Sequence, residues 1–443
     1  MGKYFGTDGF RGEANRTLTA EQALAIGRFW GARAGKRGLV VGCDTRRSSP
    51  MLEGAFVAGV MAVGATVCRL GVVSTPGVAY AVKTGGFGGG VMISASHNPY
   101  YDNGIKLFGE GGDKPGDEAL VALEAYLDGE TVDLPQPTGQ ALGDSHEGSD
   151  WRERYLAHLR GTVPCSLQGL RVGLDTANGA ACGWAKEVFS ALGARVYVIH
   201  ADPDGCNINR ACGSTHPNDL CRLVRDRQLD VGFAFDGDAD RCIAVDAGGT
   251  FVDGDGILYA MACHKQERGE LTKGGIVTTV MSNCGLRHAL EARGIVCEQT
   301  AVGDRYVRER MEKTGYCLGG EPSGHVIFGD VFHTGDGVLT ALLVAALIRE
   351  RGPLHTLTEG YHPYPRCMLD LAVTDKAAVM ADPALIAEIK SIEGALAEDG
   401  RLLVRASGTE SVVRVMVEAK EPSVCEACTR RVKKIIEERK ALL

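Results

Sequence analysis

Short apolar runs alternate with longer amphipathic stretches along most of the chain. Residues 38–45 (GLVVGCDT) and 169–176 (GLRVGLDT) share six of eight positions, and each is followed by a helix-like stretch and a second apolar run that begins Gly-Ala-x-Val. Residues 275–281, a helix-like stretch and residues 294–297 repeat this rhythm without the identities. Strand, helix and strand at such short spacing predict a parallel crossover unit. Three units predict three α/β domains of similar topology, with mixed or parallel sheets.

The last part of the chain has a different pattern. Residues 369–373 and 402–404 are typical of strands, residues 412–418 (VVRVMVE) alternate, and a helix is expected from residue 423. This pattern predicts a smaller C-terminal α+β domain. A stretch rich in Pro, Gly and Ser at 133–149 is interpreted as a connector, and further boundaries are expected near 253–256 and 362–366. The predicted domains are therefore 1–150, 151–254, 255–366 and 367–443.

A cluster of acidic residues follows one of the apolar runs. Residues 229–235 (LDVGFAF) predict a buried strand, and Asp236, Asp238 and Asp240 come directly after it, followed by Arg241. Open α/β sheets bind their ligands at the carboxyl ends of the strands. Each pair of carboxylates a few Ångström apart repels by roughly 1 to 4 kcal/mol, and a bound divalent cation removes that penalty. Because the donors are all oxygens, the pattern indicates Mg²⁺ rather than zinc.

Two other interpretations of the acidic cluster are structural or calcium-binding. An EF-hand loop also begins D-x-D-x-D, but it requires Gly at its sixth position and Glu at its twelfth. Those positions hold Arg241 and Ala247, which excludes an EF-hand. A surface turn rich in Asp and Gly stays open as the alternative on this segment alone.

Three further segments carry groups suited to sugar and phosphate chemistry. Residues 92–99 (MISASHNP) contain Ser96, and Lys106 follows downstream. Residues 320–325 (GEPSGH) contain a carboxylate, a hydroxyl and an imidazole held between glycines, a set that suits hydroxyl recognition and acid–base work. Residues 404–410 (VRASGTE), with Arg414 beyond, combine guanidinium and hydroxyl groups around a glycine turn, as in a phosphate cradle. A polar loop, a capped turn and a hairpin turn are the respective structural alternatives.

Composition narrows the range of partners. The net charge of −8 disfavours nucleic acid or an anionic membrane as a partner, because binding to either requires a basic face. The N-terminus lacks the apolar core of a secretory signal, and the longest apolar run, at 338–348, is too short to span a bilayer. The 15 cysteines are then expected to be reduced, in a cytoplasmic protein. Residues 31–37 and the glycines at 85–90 fail the P-loop and dinucleotide patterns, so ATP or NAD use is not supported.

These four segments, in this order, resemble the α-D-phosphohexomutase superfamily from residues 6–12 (GTDGFRG) to Arg414. Residues 3–12, 93–99 and 101–106, with 203–209, 212–217 and 302–307, are most similar to the bacterial members that act on glucosamine phosphates. The resemblance implies four domains around a central cleft, with Mg²⁺ and a hexose 1,6-bisphosphate activator as cofactors. It implies interconversion of sugar 6- and 1-phosphates for amino-sugar nucleotide and cell-wall precursor synthesis, and a homodimer is possible. Pro322 departs from the usual residue of the sugar-binding segment.

The resemblance also assigns roles to single residues. Ser96 would carry the phosphoryl group, and a phosphate oxygen on it would join Asp236, Asp238 and Asp240 around the metal. Arg11, Lys106 and Arg241 would stabilise the transferring phosphoryl group, with His325 as general acid–base. The residues implied in substrate binding are Glu321 and Ser323 for the sugar, and Arg405, Ser407, Gly408, Thr409 and Arg414 for the non-reacting phosphate.

Three alternative functions fit parts of this evidence. A phosphoglucomutase or phosphomannomutase of the same superfamily would prefer a hydroxyl over an amine at the second sugar carbon. A metal-dependent phosphatase would use Asp236 as its nucleophile and would not need Ser96. A non-catalytic sugar-phosphate-binding protein would bind without turnover.

Overall fold

The computed structural model describes residues 2–6, 8–397, 399–407 and 411–440, with the side chains of 439 and 440 excepted. The chain forms two compact units. The first comprises Met1–Met281 and Ile295–Glu359, and the second comprises Ser282–Gly294 and Gly360–Leu443. Within the described ranges, no helix is both long and apolar enough to cross a membrane.

The first unit begins with a seven-stranded mixed sheet, in the order β1-β2-β6-β5-β3-β4-β7. The strands are β1 (Phe5–Gly6), β2 (Gly9–Glu13), β3 (Leu39–Cys43), β4 (Val67–Val72), β5 (Gly90–Ile93), β6 (Asp102–Phe108) and β7 (Ser145–Glu147). The helices of this part are α1 (Ala20–Ala34), α2 (Ser49–Ala62), α3 (Thr75–Gly85), α4 (Asp117–Leu127) and α5 (Ser149–Gly161).

Burial explains why these residues form the centre of the sheet. All five residues of β3 are buried, which is the pattern of a strand covered on both faces. Phe56 of α2 and Trp30 of α1 belong to the hydrophobic core on one side of the sheet. Val78 of α3 belongs to the core on the other side. Because both faces of the sheet are packed, the parallel strands β3 and β5 are held in place, and their carboxyl ends lie at the same edge of the sheet.

A second sheet has five strands in the order β12-β11-β10-β8-β9. The strands are β8 (Arg171–Asp175), β9 (Arg195–Ile199), β10 (Val231–Phe235), β11 (Cys242–Asp246) and β12 (Phe251–Val252), and the helices are α6 (Ala185–Ala191) and α7 (Asn218–Arg227). The three strands β10, β8 and β9 run parallel, and β11 returns antiparallel to β10. The turn between β10 and β11 holds the acidic cluster.

The next part of the chain forms a four-stranded sheet in the order β14-β13-β15-β16. The strands are β13 (Gly275–Thr279), β14 (Val296–Thr300), β15 (Leu318–Gly320) and β16 (Val326–Phe328). The helices are α8 (Gly254–Glu267), α9 (Cys284–Glu291), α10 (Asp304–Thr314), α11 (Gly337–Arg351) and α12 (Leu354–Leu357). Helix α9 lies in the segment Ser282–Gly294 and so belongs to the second unit.

The predicted fold class is confirmed. The repeated segments form β3 with β4 and β8 with β9, and the third unit forms β13 with β14, all as parallel pairs. The interpretation of 133–149 as a plain connector is wrong in one respect. Residues Ser145–Glu147 form β7, which pairs in parallel with β4 and extends the sheet. These three residues are polar and too few to show an alternating pattern, so the sequence could not indicate a strand at this edge.

The second unit contains a three-stranded antiparallel sheet in the order β17-β19-β18, as expected for an α+β domain. Its remaining elements are β17 (Arg366–Ala372), α13 (Lys376–Met380), α14 (Pro383–Leu396), β18 (Gly400–Ala406), β19 (Val412–Ala419) and α15 (Pro422–Lys440). Val413, Val415 and Val417 alternate along β19 and pack in one core with Val432 of α15. This alternation is the period of two that the sequence shows.

A fully buried carboxylate, Glu418, lies on the face of β19 opposite Val413, Val415 and Val417. It accepts a hydrogen bond from Nε of Arg366 at 2.7 Å and lies 3.0 Å from Nη2 of Arg401. The backbone N–H of Cys284 also donates to it at 3.1 Å. Because Cys284 begins α9, this carboxylate fastens the segment Ser282–Gly294 to the rest of the second unit.

We predict that Glu418→Gln lowers the free energy of unfolding of the second unit by about 2 to 3 kcal/mol, because two guanidinium groups lose a buried counter-charge. Denaturant titration followed by circular dichroism measures this loss. Glu421→Gln, at an exposed position just beyond β19, is the control and should leave the midpoint unchanged. Equal midpoints for the two variants would contradict the assigned role of Glu418.

Candidate active site

Ser96 and the acidic triad (Asp236, Asp238 and Asp240) meet where β5 and β10 end. The Ser96 hydroxyl donates a hydrogen bond to Oδ2 of Asp236 at 2.5 Å, and all four side chains are buried. Ser96 has a φ of +51°, in the left-handed region that non-glycine residues seldom adopt. A Cβ on Gly237 would lie 2.5 Å from the Ser96 carbonyl oxygen, so only glycine permits this approach. The structure therefore brings the predicted hydroxyl and acids together.

The triad has the electrostatics of a cation site. One carboxylate oxygen from each Asp lies within 4.8 Å of the others. Burial and then the charges of Asp240 and Asp238 raise the pKa of Asp236 well above its usual range. The Oδ1 atoms of Asp238 and Asp240 are buried with no hydrogen-bond partner among the described residues. A divalent cation would satisfy these oxygens and allow all three acids to ionise, so the residues fit a metal with oxygen ligands.

Basic side chains balance the charge of the triad. Lys106 donates to Oδ2 of Asp238 at 2.6 Å and to Oδ2 of Asp240 at 3.1 Å. Burial opposes the charge of Lys106, but the carboxylates of Asp238, Asp240 and Asp8 outweigh burial and raise its pKa. Lys106 projects from β6, and Arg11 lies on β2, the strand next to it. Arg11 donates to Oδ2 of Asp8 at 2.7 Å.

Arg241 occupies the position directly after the triad. Its backbone N–H donates to Oδ1 of Asp236 at 3.2 Å, and its Nη1 donates to Nδ1 of His97 at 3.1 Å. Burial and then the charges of Arg241 and Arg11 lower the pKa of His97 to about 4. His97 is therefore neutral and accepts hydrogen bonds at this nitrogen rather than transferring protons at neutral pH.

A cavity of about 330 Å³ opens beside the triad and contains Lys106, Asp240 and His325 in its lining. His325 is buried, with Nδ1 3.9 Å from Oδ2 of Asp240 and Nε2 3.8 Å from Oδ2 of Asp304. Burial would lower the pKa of His325, but the carboxylates of Asp240, Asp304 and Glu321 outweigh burial and raise it to about 9. A cation on Asp240 would remove part of that effect.

The segment 320–325 turns sharply against the strand that follows the triad. Oε1 of Glu321 accepts the backbone N–H of Gly303 at 3.2 Å, and the Ser323 hydroxyl is buried without a partner among the described residues. A Cβ on Gly324 would lie 2.2 Å from the carbonyl oxygen of Cys242. This close approach fixes Glu321, Ser323 and His325 relative to β11.

The remaining predicted residues lie in the second unit. Arg405 of β18 and Arg414 of β19 are register partners on neighbouring strands. The backbone N–H of Ser407 donates to the carbonyl of Val412 at 2.9 Å, and Lys376 donates to the Ser407 carbonyl at 2.7 Å. Gly408 and Thr409 lie outside the described residues. The structure thus places Arg405, Ser407 and Arg414 at one end of the β18–β19 pair.

The sequence analysis missed the residue that holds the Ser96 loop, Arg46. Its guanidinium is fully buried and pairs with Asp44, Nε to Oδ2 at 2.9 Å. It also donates to the carbonyl oxygens of Ser96 at 2.9 Å, Asn98 at 2.8 Å and Asp102 at 2.9 Å, and to that of Pro99. Ser94 donates to the same Asp44 oxygen at 2.6 Å. Arg46 therefore fixes the backbone that presents the Ser96 hydroxyl.

One signal in the sequence could have indicated this role. The internal repeat aligns Asp44 with Asp175, and both are fully buried at the carboxyl ends of equivalent strands. Buried carboxylates at such positions require partners. Two residues are chemically suited as partners of Asp44. Arg46 lies just after it in the repeated segment, and Ser94 lies in the segment that contains Ser96. Their contacts with Asp44 depend on the tertiary fold.

Comparison with known proteins identifies the group to which this site belongs. Family profiles for phosphoglucomutase/phosphomannomutase match residues 2–132 (alpha/beta/alpha domain I), 153–249 (domain II), 253–364 (domain III) and 368–435 (C-terminal domain). The chain belongs to the phosphoglucomutase/phosphomannomutase family. Members of this family of phosphohexomutases are metal-dependent isomerases that transfer phosphate within the substrate, and that enzyme class holds for this chain.

Curated members close to this chain share one name. The phosphoglucosamine mutase of Lachnoclostridium phytofermentans is 50% identical over 430 residues, covering 96% of each chain. That of Shouchella clausii is 48% identical over 443 residues, covering 99% of each chain. Within the phosphoglucomutase/phosphomannomutase family, the chain thus groups with the phosphoglucosamine mutases.

Solved structures of the family share the fold. A phosphoglucomutase/phosphomannomutase family protein from Burkholderia thailandensis has a TM-score of 0.80 at 24% identity, with 99% of this chain and 98% of that chain covered. The N-acetylphosphoglucosamine mutase of Aspergillus fumigatus, in complex with GlcNAc-6P and magnesium, has a TM-score of 0.70 at 17% identity, with 99% and 96% covered.

We predict that Arg46→Lys lowers kcat by about 10- to 100-fold, because one ammonium group cannot hold all of the loop carbonyls and Ser96 shifts out of line. The Michaelis constant for the sugar phosphate should change by no more than about twofold, because Arg46 does not touch the cavity. Steady-state kinetics and quantitative mass spectrometry of phosphorylated Ser96 measure both effects.

Arg154→Lys, on the exposed face of α5, serves as the matched control and should behave like the parent protein. If Arg46→Lys lowers the melting temperature but keeps its kcat, Arg46 contributes to stability and does not position Ser96.

Proposed function

We propose that the protein interconverts glucosamine 6-phosphate and glucosamine 1-phosphate through phosphorylated Ser96 and a glucosamine 1,6-bisphosphate intermediate. The observation that carries the chemistry is the Ser96 hydroxyl hydrogen-bonded to a buried carboxylate of the triad. The curated relatives named phosphoglucosamine mutase, at about half identity over nearly the full chain, support the choice of sugar.

The reaction needs two phosphoryl transfers in opposite directions. In the first, the bond between phosphorus and Oγ of Ser96 breaks while a bond to the sugar 1-oxygen forms. The hydroxyl proton of the sugar passes to a base, for which His325 is the candidate, because it lies in the cavity lining and a cation on Asp240 would offset the carboxylate charge that raises its pKa. The bisphosphate then turns, and its 6-phosphoryl group returns to Oγ of Ser96. His325 returns the proton to the sugar 6-oxygen, which leaves the 1-phosphate.

The triad would hold Mg²⁺ together with a phosphate oxygen of phosphorylated Ser96. The oxygen-only donors and the unsatisfied Oδ1 atoms of Asp238 and Asp240 support this assignment. When bound, Mg²⁺ supplies Lewis-acid stabilisation of charge on the phosphoryl oxygens. Arg11, Lys106 and Arg241 add positive charge from the protein itself. Such neutralisation, with in-line positioning, is the main requirement of phosphoryl transfer.

Sugar and phosphate recognition is assigned to two sets of residues. Glu321 and Ser323 would accept and donate hydrogen bonds to sugar hydroxyls, and the unpaired buried Ser323 hydroxyl supports this role. The phosphate that is not reacting would be bound by Arg405, Ser407, Gly408, Thr409 and Arg414. The pairing of Arg405 beside Arg414 on adjacent strands supplies the charge that a phosphate dianion needs.

The proposal also covers the activator, the cellular location and the assembly of the enzyme. A hexose 1,6-bisphosphate would act as activator, since it restores the phosphate on Ser96 after occasional hydrolysis. The cysteines in the described parts of the chain are free thiols, which supports a cytoplasmic location. The domain boundaries at 150, 254 and 366 remain predictions, and so does the homodimer. The product of the reaction would supply amino-sugar nucleotide and cell-wall precursor synthesis.

We expect kcat/KM for glucosamine 6-phosphate to exceed that for glucose 1-phosphate and mannose 1-phosphate by at least about tenfold, or about 1.4 kcal/mol of transition-state stabilisation. The assay contains Mg²⁺ and a trace of 1,6-bisphosphate. Equal or faster turnover of the neutral sugars would assign the protein to the phosphoglucomutase or phosphomannomutase activities. Pro322 would then be the first position to examine.

Ser96→Ala separates the mutase from a phosphatase in the same assay. It should abolish turnover of all three sugars, whereas Ser190→Ala at an exposed position of α6 should retain it. Activity that survives Ser96→Ala would favour an aspartyl nucleophile.

We predict that Asp238→Asn lowers kcat at saturating Mg²⁺ by at least about 100-fold, because one metal ligand and its charge are lost. Asp133→Asn, exposed and distant in sequence from the triad, is the matched control. Thermal denaturation of both variants tests whether folding is intact. Turnover by Asp238→Asn at the parent rate would exclude the triad as the metal site.

A further inference from the structure

A second group of potential metal ligands lies outside the active site, at the carboxyl edge of the five-stranded sheet. Asp175 is the last residue of β8, His200 directly follows β9, and Cys212 lies in the loop beyond. One ligand atom from each lies within 4.8 Å of the other two. The reaction described above uses none of these three side chains.

The separations suit a small tetrahedral ion. Nδ1 of His200 lies 3.0 Å from Oδ2 of Asp175. Two ligands at about 2.0 Å from a tetrahedral zinc lie about 3.3 Å apart, and a thiolate at about 2.3 Å lies about 3.6 Å from the others. Cys212 would therefore have to approach by no more than about 1 Å, a shift within the range of one side-chain rotation.

Neighbouring groups orient two of the three ligands, His200 and Asp175. Nε2 of His200, the nitrogen turned away from Asp175, lies 3.4 Å from Oδ2 of Asp219. A metal-bound histidine commonly donates its second N–H to a carboxylate in this way. The backbone N–H groups of Ala177 and Gly213 donate to Oδ1 and Oδ2 of Asp175, both at 2.9 Å. These two hydrogen bonds fix the direction of the carboxylate.

The donor set distinguishes this cluster from the acidic triad. A thiolate, an imidazole and a carboxylate together favour zinc or a similar ion, whereas Mg²⁺ takes oxygen ligands. Asp175 and Cys212 are fully buried, but the His200 side chain is 24% exposed. His200 also borders a cavity of about 310 Å³, together with Asp219.

We propose that Asp175, His200 and Cys212 form a structural zinc site with water as the fourth ligand. Binding replaces the Cys212 S–H bond with an S–Zn bond and releases one proton to solvent. Zn²⁺ remains in one oxidation state throughout, so no oxidant or reductant takes part.

The site would close the loop that supports Ser96. His200 and Cys212 bracket residues 201–211, which include Asn209. Nδ2 of Asn209 donates to the carbonyl of Ser96 at 2.8 Å and to that of Asn98 at 3.1 Å. An ion bound at both ends of this loop would hold Asn209 in place, so we expect zinc to raise the melting temperature.

Cobalt provides a direct test, because a Co²⁺–thiolate bond absorbs in the near ultraviolet and an all-oxygen site does not. The full chain is stripped with a chelator, saturated with Mg²⁺ to occupy the triad, and titrated with Co²⁺. We expect one equivalent to produce the thiolate band, and one equivalent of Zn²⁺ to remove it. Asp238→Asn, which alters only the triad, should give the same titration.

Cys212→Ser should lose the band, and His200→Gln should weaken Co²⁺ binding at least tenfold. Zn²⁺ should raise the melting temperature of the parent protein but of neither variant. His200 is partly exposed, so His200→Gln serves if Cys212→Ser fails to fold. Absence of the band in the parent protein, or its persistence in Cys212→Ser, overturns the proposal. The cluster would then be a hydrogen-bonded imidazole between Asp175 and Asp219.

Discussion

The burial of three carboxylates at one turn is the constraint on which the rest of the first unit depends. Asp236, Asp238 and Asp240 are buried and repel one another, and the fold must place positive charge around them. Lys106 does this from the first sheet, which ties two separate sheets to one electrostatic centre. The same arrangement leaves Oδ1 of Asp238 and of Asp240 without a hydrogen-bond partner among the described residues, and a serine hydroxyl directed at a carboxylate. The same charged side chains therefore contribute both to the stability of this unit and to its phosphoryl chemistry.

Each copy of the internal repeat contributes a buried aspartate that helps to hold a loop near this centre. Asp44 and Asp175 occupy equivalent strand ends, and each helps to hold a loop near its strand end. Asp44 does so through Arg46, whose guanidinium reaches several carbonyls of the Ser96 loop. Asp175 does so through backbone amides and His200. Equivalent aspartates therefore serve two loops that meet at Ser96, whose carbonyl accepts hydrogen bonds from both Arg46 and Asn209.

Much of the fold was predictable from the sequence because its signals are local. The parallel units follow from buried strands such as residues 231–235, and β19 follows from strict alternation. Ser96 and the triad stand in compact motifs, but they follow strands of two different sheets, so their proximity was expected only from the resemblance to the phosphohexomutases. Strand β7 could not be predicted, because it pairs only through the edge that β4 offers. The role of Arg46 was indicated only indirectly, through the repeated Asp44, because the loop carbonyls that it contacts lie about fifty residues away along the chain.

The contact of Asn209 with the Ser96 loop also has a consequence during protein synthesis. The loop that carries Ser96 leaves the ribosome well before residues 209 and 236–240, which complete its hydrogen bonds and supply its carboxylate neighbours. A nascent chain that ends before this point has the serine but lacks the partners that orient its hydroxyl. The serine can therefore take up its folded geometry only after the second sheet has formed.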